Sequence, residues 1–65
     1  MAKHWFTTTT GKKGLHTEEE IDMVNYFESI GLGVDEISTE NGVVTVKWDT
    51  GTTDTYQKII FMGKR

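Results

Sequence analysis

The alternation of apolar and polar positions changes period along this chain, and the changes mark its elements. Between Glu18 and Ile30 the apolar residues recur at helical spacing. At about 100° per residue, Met23, Val24, Tyr26, Phe27 and Ile30 share one broad arc, with Ile21 at its margin. Asp22, Asn25, Glu28 and Ser29 occupy the opposite side. The helix start is encoded locally. Thr17 can accept a hydrogen bond from a free backbone N–H of the first turn, and Glu20, three residues on, completes a capping box. Glu18, Glu19 and Glu20 also suit the positive end of the helix dipole. Gly31 supplies a left-handed stop, after which Leu32 can fold back on the last turn. The pattern predicts a helix over residues 18–30.

On either side of that helix the pattern is of strands. Lys3 to Thr9, ending in β-branched threonines, reads as a first strand. Gly11 to Gly14 reads as a break. After Gly33 the period becomes two. Val34 to Thr39 and Val43 to Asp49 read as strands around an Asn41-Gly42 turn, since both turn positions tolerate positive φ. Asp49-Thr50-Gly51 reads as a second turn with a bulge at Gly51, and Thr52 to Met62 as the last strand. These turns set Ile37 opposite Val46, Glu36 opposite Lys47 and Tyr56 opposite Val44. Both registers gather Ile37, Val44, Val46, Trp48, Tyr56 and Ile60 on one face and leave Glu36, Lys47, Thr45, Thr53 and Thr55 on the other. The expected fold class is α+β: one two-layer domain over residues 1–65, a four-stranded, mainly antiparallel sheet with one helix, in the order β-α-β-β-β. The partner of the first strand is left open.

Some large apolar side chains do not fit. Ile59 and Phe61 alternate with Ile60 and so point to the outer face, and the adjacent Trp5 and Phe6 cannot both point inward on a regular strand. Such a surplus is either a core residue turned by a bulge or an interaction patch. The stretch Val44-Thr45-Val46-Lys47-Trp48-Asp49-Thr50-Gly51, with Tyr56, resembles the V-x-V-x-W-D-x-G hairpin of SH3-like and Tudor-like barrels. The long helix ahead of it departs from those barrels, and no binding residue is carried over.

Size and charge narrow the function classes. A chain of 65 residues without cysteine has no disulfide to support a small core. A homodimer is therefore one open route to stability. No stretch matches a secretory leader or a membrane helix, so the expectation is a cytoplasmic protein with no membrane partner. The net charge is −3, unevenly spread: all ten acids lie between Glu18 and Asp54, where Lys47 is the one base. Lys3, Lys12, Lys13, Lys58, Lys64 and Arg65 flank that block. Such segregation either steers a charged partner or is satisfied internally by pairing of terminal and central elements.

Catalytic chemistry finds little support. Ser29 and Ser38 have no evident base or orienting group. Clustered carboxylates at residues 18–20 read as a helix start rather than as an acid–base pair. His4 and His16 have no metal-ligand spacing, so neither a metal nor another cofactor is expected. Gly11-Lys12-Lys13-Gly14 is a conceivable anion turn but lacks the full phosphate-loop pattern. The expected function is non-enzymatic: a small protein-binding domain, an inhibitor or modulator of a larger, nucleic-acid-handling protein in the manner of viral accessory proteins. Its candidate contacts are Trp5, Ile59 and Phe61 on the open sheet face, and Glu18, Glu19 and Asp22 at the helix start. The alternative is a nucleic-acid binder, with Lys3, Lys12, Lys13, Lys58, Lys64 and Arg65 meeting phosphates and aromatic side chains stacking on bases.

Overall fold

A computed structural model describes residues 3–57. The order of elements is β1 (Lys3–Thr7), β2 (Lys13–Thr17), α1 (Glu18–Ser29), β3 (Val34–Glu40), β4 (Val43–Trp48) and β5 (Thr53–Gln57). They form two sheets, an antiparallel pair β1-β2 and an antiparallel triple β3-β4-β5. This corrects the expected single four-stranded sheet in β-α-β-β-β order. The error lies in the glycine-rich stretch, which is a hairpin loop and not a break. Gly11 takes φ +98°, and the loop closes through Thr8 N to Lys12 O and Gly11 N to Thr8 O, both 2.9 Å. Lys13–Thr17 then returns along β1, pairing Trp5 with Leu15 and Phe6 with Gly14. Closing so short a loop costs little chain entropy, which favours a local partner over a distant sheet edge.

Thr17 ends β2 and caps α1. Its extended backbone (φ −74°, ψ 162°) lets strand run directly into helix. The capping box forms in full: Glu20 N donates to Thr17 Oγ1 at 3.1 Å, and Thr17 N donates to Glu20 Oε1 at 3.3 Å. At the other end, Leu32 N donates to Phe27 O and Gly31 N to Glu28 O, with Gly31 at φ +89°. This is the paired-bond C-terminal motif that a glycine at that place permits.

The β3-β4-β5 meander has the expected register: Ile37 opposite Val46, Glu36 opposite Lys47, Tyr56 opposite Val44. Asn41 (φ 54°) and Gly42 (φ 78°) make the first turn, and Gly51 (φ 98°) the second. One departure matters. The register slips between Val34 and Glu36, so Asp35 is an extra residue on β3. In strict alternation Val34 would oppose Ile37 in facing. The bulge turns it inward, where it is fully buried beside Met23, Val24, Phe27, Ile37, Val44 and Val46. Phe6, Trp48 and Tyr56 pack partly against this core.

The helix buries a narrower stripe than its hydrophobic arc suggests: Glu20, Met23, Val24 and Phe27. Tyr26 and Ile30, expected on the core side, are more than half exposed. A carboxylate occupies the first position of the buried stripe because its partners are there. Glu20 accepts from Thr39 Oγ1 on β3 and meets His16 Nδ1 on β2 at 3.0 Å, besides its part in the cap. One side chain thus ties β2, α1 and β3 together. Of the last expected strand, residues 58–62, including Ile60, lie outside the described residues. Among the described residues no helix is long and apolar enough to cross a membrane.

Candidate binding surfaces

The β1-β2 ribbon has one face against the molecule and one away from it. Phe6 and His16 turn inward and meet edge to face, with ring centroids 6.1 Å apart. His4, directly opposite His16 in the register, is exposed. Alternation then forces Trp5 and Leu15 outward as direct cross-strand neighbours. Trp5 is 69% exposed and Leu15 51% exposed. Lys3 and Lys13 belong to the same face, two residues along each strand from the Trp5–Leu15 pair, and both are exposed. Sequence reasoning singled out Trp5 and missed Leu15, because β2 was not read as a strand. Trp5 lies on a different sheet from β4 and β5. Ile59 and Phe61, with Lys58, Lys64 and Arg65, lie outside the described residues.

The hairpin loop is fastened to the β3 bulge. Thr8 is buried, and its hydroxyl donates to the Asp35 carbonyl at 2.9 Å. The Thr10 hydroxyl donates to the Asp35 carboxylate, and Lys12 Nζ lies 3.3 Å from Asp35 and 2.7 Å from Glu36. The Glu36 and Asp35 hydrogen bonds raise the Lys12 pKa above its ordinary value. The Thr10 hydroxyl, ahead of Lys12, lowers that of Asp35, and the Lys12 hydrogen bond lowers that of Glu36. Lys12 is therefore engaged by acids, and the Gly11–Gly14 turn does not present it to an anion. Internal pairing of a terminal base with the central acids is realised at this point.

At the helix start, Glu18 and Asp22 are exposed, while Glu19 is half-buried and engaged in further interaction. Among the described residues no three His, Cys, Asp or Glu side chains are grouped to hold a metal ion.

A second surface lies beside the Asp49–Gly51 turn. Leu32, Trp48, Asp49, Asp54 and Tyr56 line an open cleft of about 520 Å³. Trp48 is fixed twice. Its Nε1 donates to Asp54 Oδ2 at 2.6 Å, and its ring meets Phe27 at 5.0 Å and 76°. Tyr56 leans on the same Phe27 ring at 5.8 Å. Asp49 N donates to Gly33 O at 2.9 Å, and a Cβ at Gly33 would sit 2.1 Å from Asp49 Oδ2. The carboxylate thus lies directly over a residue that has no side chain. From sequence, Asp49 stood out as one of the acids able to face a basic partner, and Trp48 and Tyr56 as residues of the apolar sheet face. The cleft exists only once the α1–β3 connection packs beside them.

No protein-family profile, characterised protein or solved structure matches this chain.

Proposed function

We propose that the protein is a non-enzymatic protein-binding domain whose contact surface is the outer face of the β1-β2 ribbon. The observation that carries this reading is the exposed Trp5–Leu15 pair. A tryptophan presents about 150–250 Å² of surface that gains by burial, and it is among the residues most enriched at binding hot spots. Held outward on a paired strand, it is ordered before a partner arrives, which lowers the entropic cost of association. Lys3 and Lys13 beside it suit a partner with an apolar pocket rimmed by acids. Modulation of a larger protein by occluding its surface is the mode of action that fits a domain of this size.

The same face favours a second reading in one respect. A tryptophan between lysines also makes a stacking platform for single-stranded nucleic acid. Net charge −3 and the capture of Lys12 by Asp35 and Glu36 weigh against it.

The test is capture from a lysate of the source cell, with and without nuclease, using wild type, Trp5→Ala and Glu18→Lys. A nuclease-resistant partner lost with Trp5→Ala and kept with Glu18→Lys supports the ribbon face. A partner indifferent to Trp5→Ala overturns it. Capture that disappears with nuclease transfers the function to nucleic acid.

A further inference from the structure

We infer that the cleft between Leu32, Trp48 and Tyr56 is a recognition site for an arginine side chain presented by a polypeptide. It is distinct from the Trp5–Leu15 face and does not depend on it. The cleft combines aromatic walls with two carboxylates, Asp49 and Asp54. Among the described residues neither carboxylate has a lysine or arginine within ion-pair distance. Lys47, the one base of the acidic stretch, alternates onto the opposite face of β4 from Trp48.

The aromatic walls are already ordered. Phe27 buttresses both the Trp48 and the Tyr56 rings, and Asp54 holds the indole nitrogen. That bond uses Asp54 Oδ2 and leaves Oδ1 for a ligand. The Asp49 carboxylate sits over Gly33, where any side chain would displace it. A planar guanidinium satisfies this set better than an ammonium does. It can lie against an aromatic ring while its edge N–H groups reach carboxylates, whereas a lysine offers a compact, strongly hydrated charge. The Leu32 side chain, 43% exposed, adds an apolar contact for the aliphatic part of the arginine.

The probe is the peptide acetyl-Gly-Arg-Gly-amide, titrated into the ¹⁵N-labelled protein. Its citrulline counterpart has nearly the same shape and no charge, and a lysine counterpart has the charge without the plane. The expected result is saturable movement of the Trp48 indole N–H and of the Gly33 and Thr50 amides. The citrulline peptide should bind about tenfold more weakly, since it lacks the cation–π and charge-assisted contacts. Asp49→Asn, with unchanged spectral dispersion as the check on folding, should weaken the arginine peptide several-fold. Trp5→Ala should leave the titration unchanged, so failure of the ribbon-face reading and failure of this one are told apart. Equal binding of arginine and citrulline peptides, or shifts confined to residues outside the cleft, would overturn the site. Equal binding of the lysine peptide would overturn the guanidinium assignment.

Discussion

Replacing Glu20 with alanine removes one residue from the surface of no element and three contacts from the inside of the molecule. The side chain is 5% exposed. It accepts from the Thr17 backbone N–H, from the Thr39 hydroxyl, and from His16 Nδ1 where that nitrogen carries the proton. Loss of its half of the capping box costs about 1 kcal/mol. Each of the two side-chain hydrogen bonds contributes about 1 kcal/mol, and stranding their buried partners adds to that. The sum is about 3 kcal/mol. A domain of this length has a total stability of roughly 3–10 kcal/mol, so the variant should sit near the edge of folding. Glu20→Gln can keep the cap acceptor while turning its amide N–H₂ toward the remaining partner, and should lose about half as much. Urea unfolding followed by circular dichroism measures both variants. Thr17→Ala belongs in the same series. It should cost about 1 kcal/mol, and combined with Glu20→Ala it should cost less than the two losses added, because they share one box. A Glu20→Ala loss below about 0.5 kcal/mol, the range of ordinary surface substitutions, would refute Glu20 as the tie between β2, α1 and β3.

Thr8→Val keeps the volume but leaves the Asp35 carbonyl without its donor, and should lower stability by about 1 kcal/mol in chemical denaturation. Val46→Ala, at a position with no exposure, should cost about 2–3 kcal/mol, measured the same way, whereas a change smaller than about 0.5 kcal/mol would place the core elsewhere. The Lys12–Asp35–Glu36 cluster gives a pH dependence of defined sign. The lowered Asp35 and Glu36 pKa values stabilise the fold fully above the ordinary carboxylate range of about 4, and this is lost as pH falls through their folded values. The raised Lys12 pKa contributes fully below the ordinary lysine value of about 10.4 and is lost as pH rises through its folded value. The gap in urea midpoint between wild type and Lys12→Ala should therefore be widest near neutrality and shrink at both extremes. A gap independent of pH would show that the cluster contributes no titrating stability.

The helix, its two ends, the two turns of the meander and the pairing of β3 with β4 and of β4 with β5 were legible in the sequence. Each rests on neighbours within a few positions: Thr17 with Glu20, Gly31 after the last apolar residue, Asn41-Gly42, Gly51. Strand register follows from turn length, so the facing of Ile37, Val44, Val46 and Tyr56 followed as well. The Trp5–Phe6 conflict was equally visible, and the structure resolves it by sending Phe6 toward the core and Trp5 outward.

What remained was decided by contacts between elements distant along the chain. Lys13–Thr17 carries one aliphatic residue, Leu15, and that residue faces solvent, so no alternation announces a strand. It is a strand because β1 lies beside it and α1 receives Phe6 and His16. The bulge at Asp35 has no local signature either. Its extra residue is held by Thr8, Thr10 and Lys12 from the other hairpin, and the bulge turns Val34 into the core. Glu20 reads as a cap residue, and its burial depends on where Thr39 and His16 arrive. The same holds for both candidate surfaces. Trp5 meets Leu15, and Trp48 gathers Tyr56, Asp49 and Asp54 around a cleft, through strand pairing and sheet packing. Local sequence chemistry specifies turns, caps and periods because those energies act over a few residues, whereas a binding surface is a product of long-range placement.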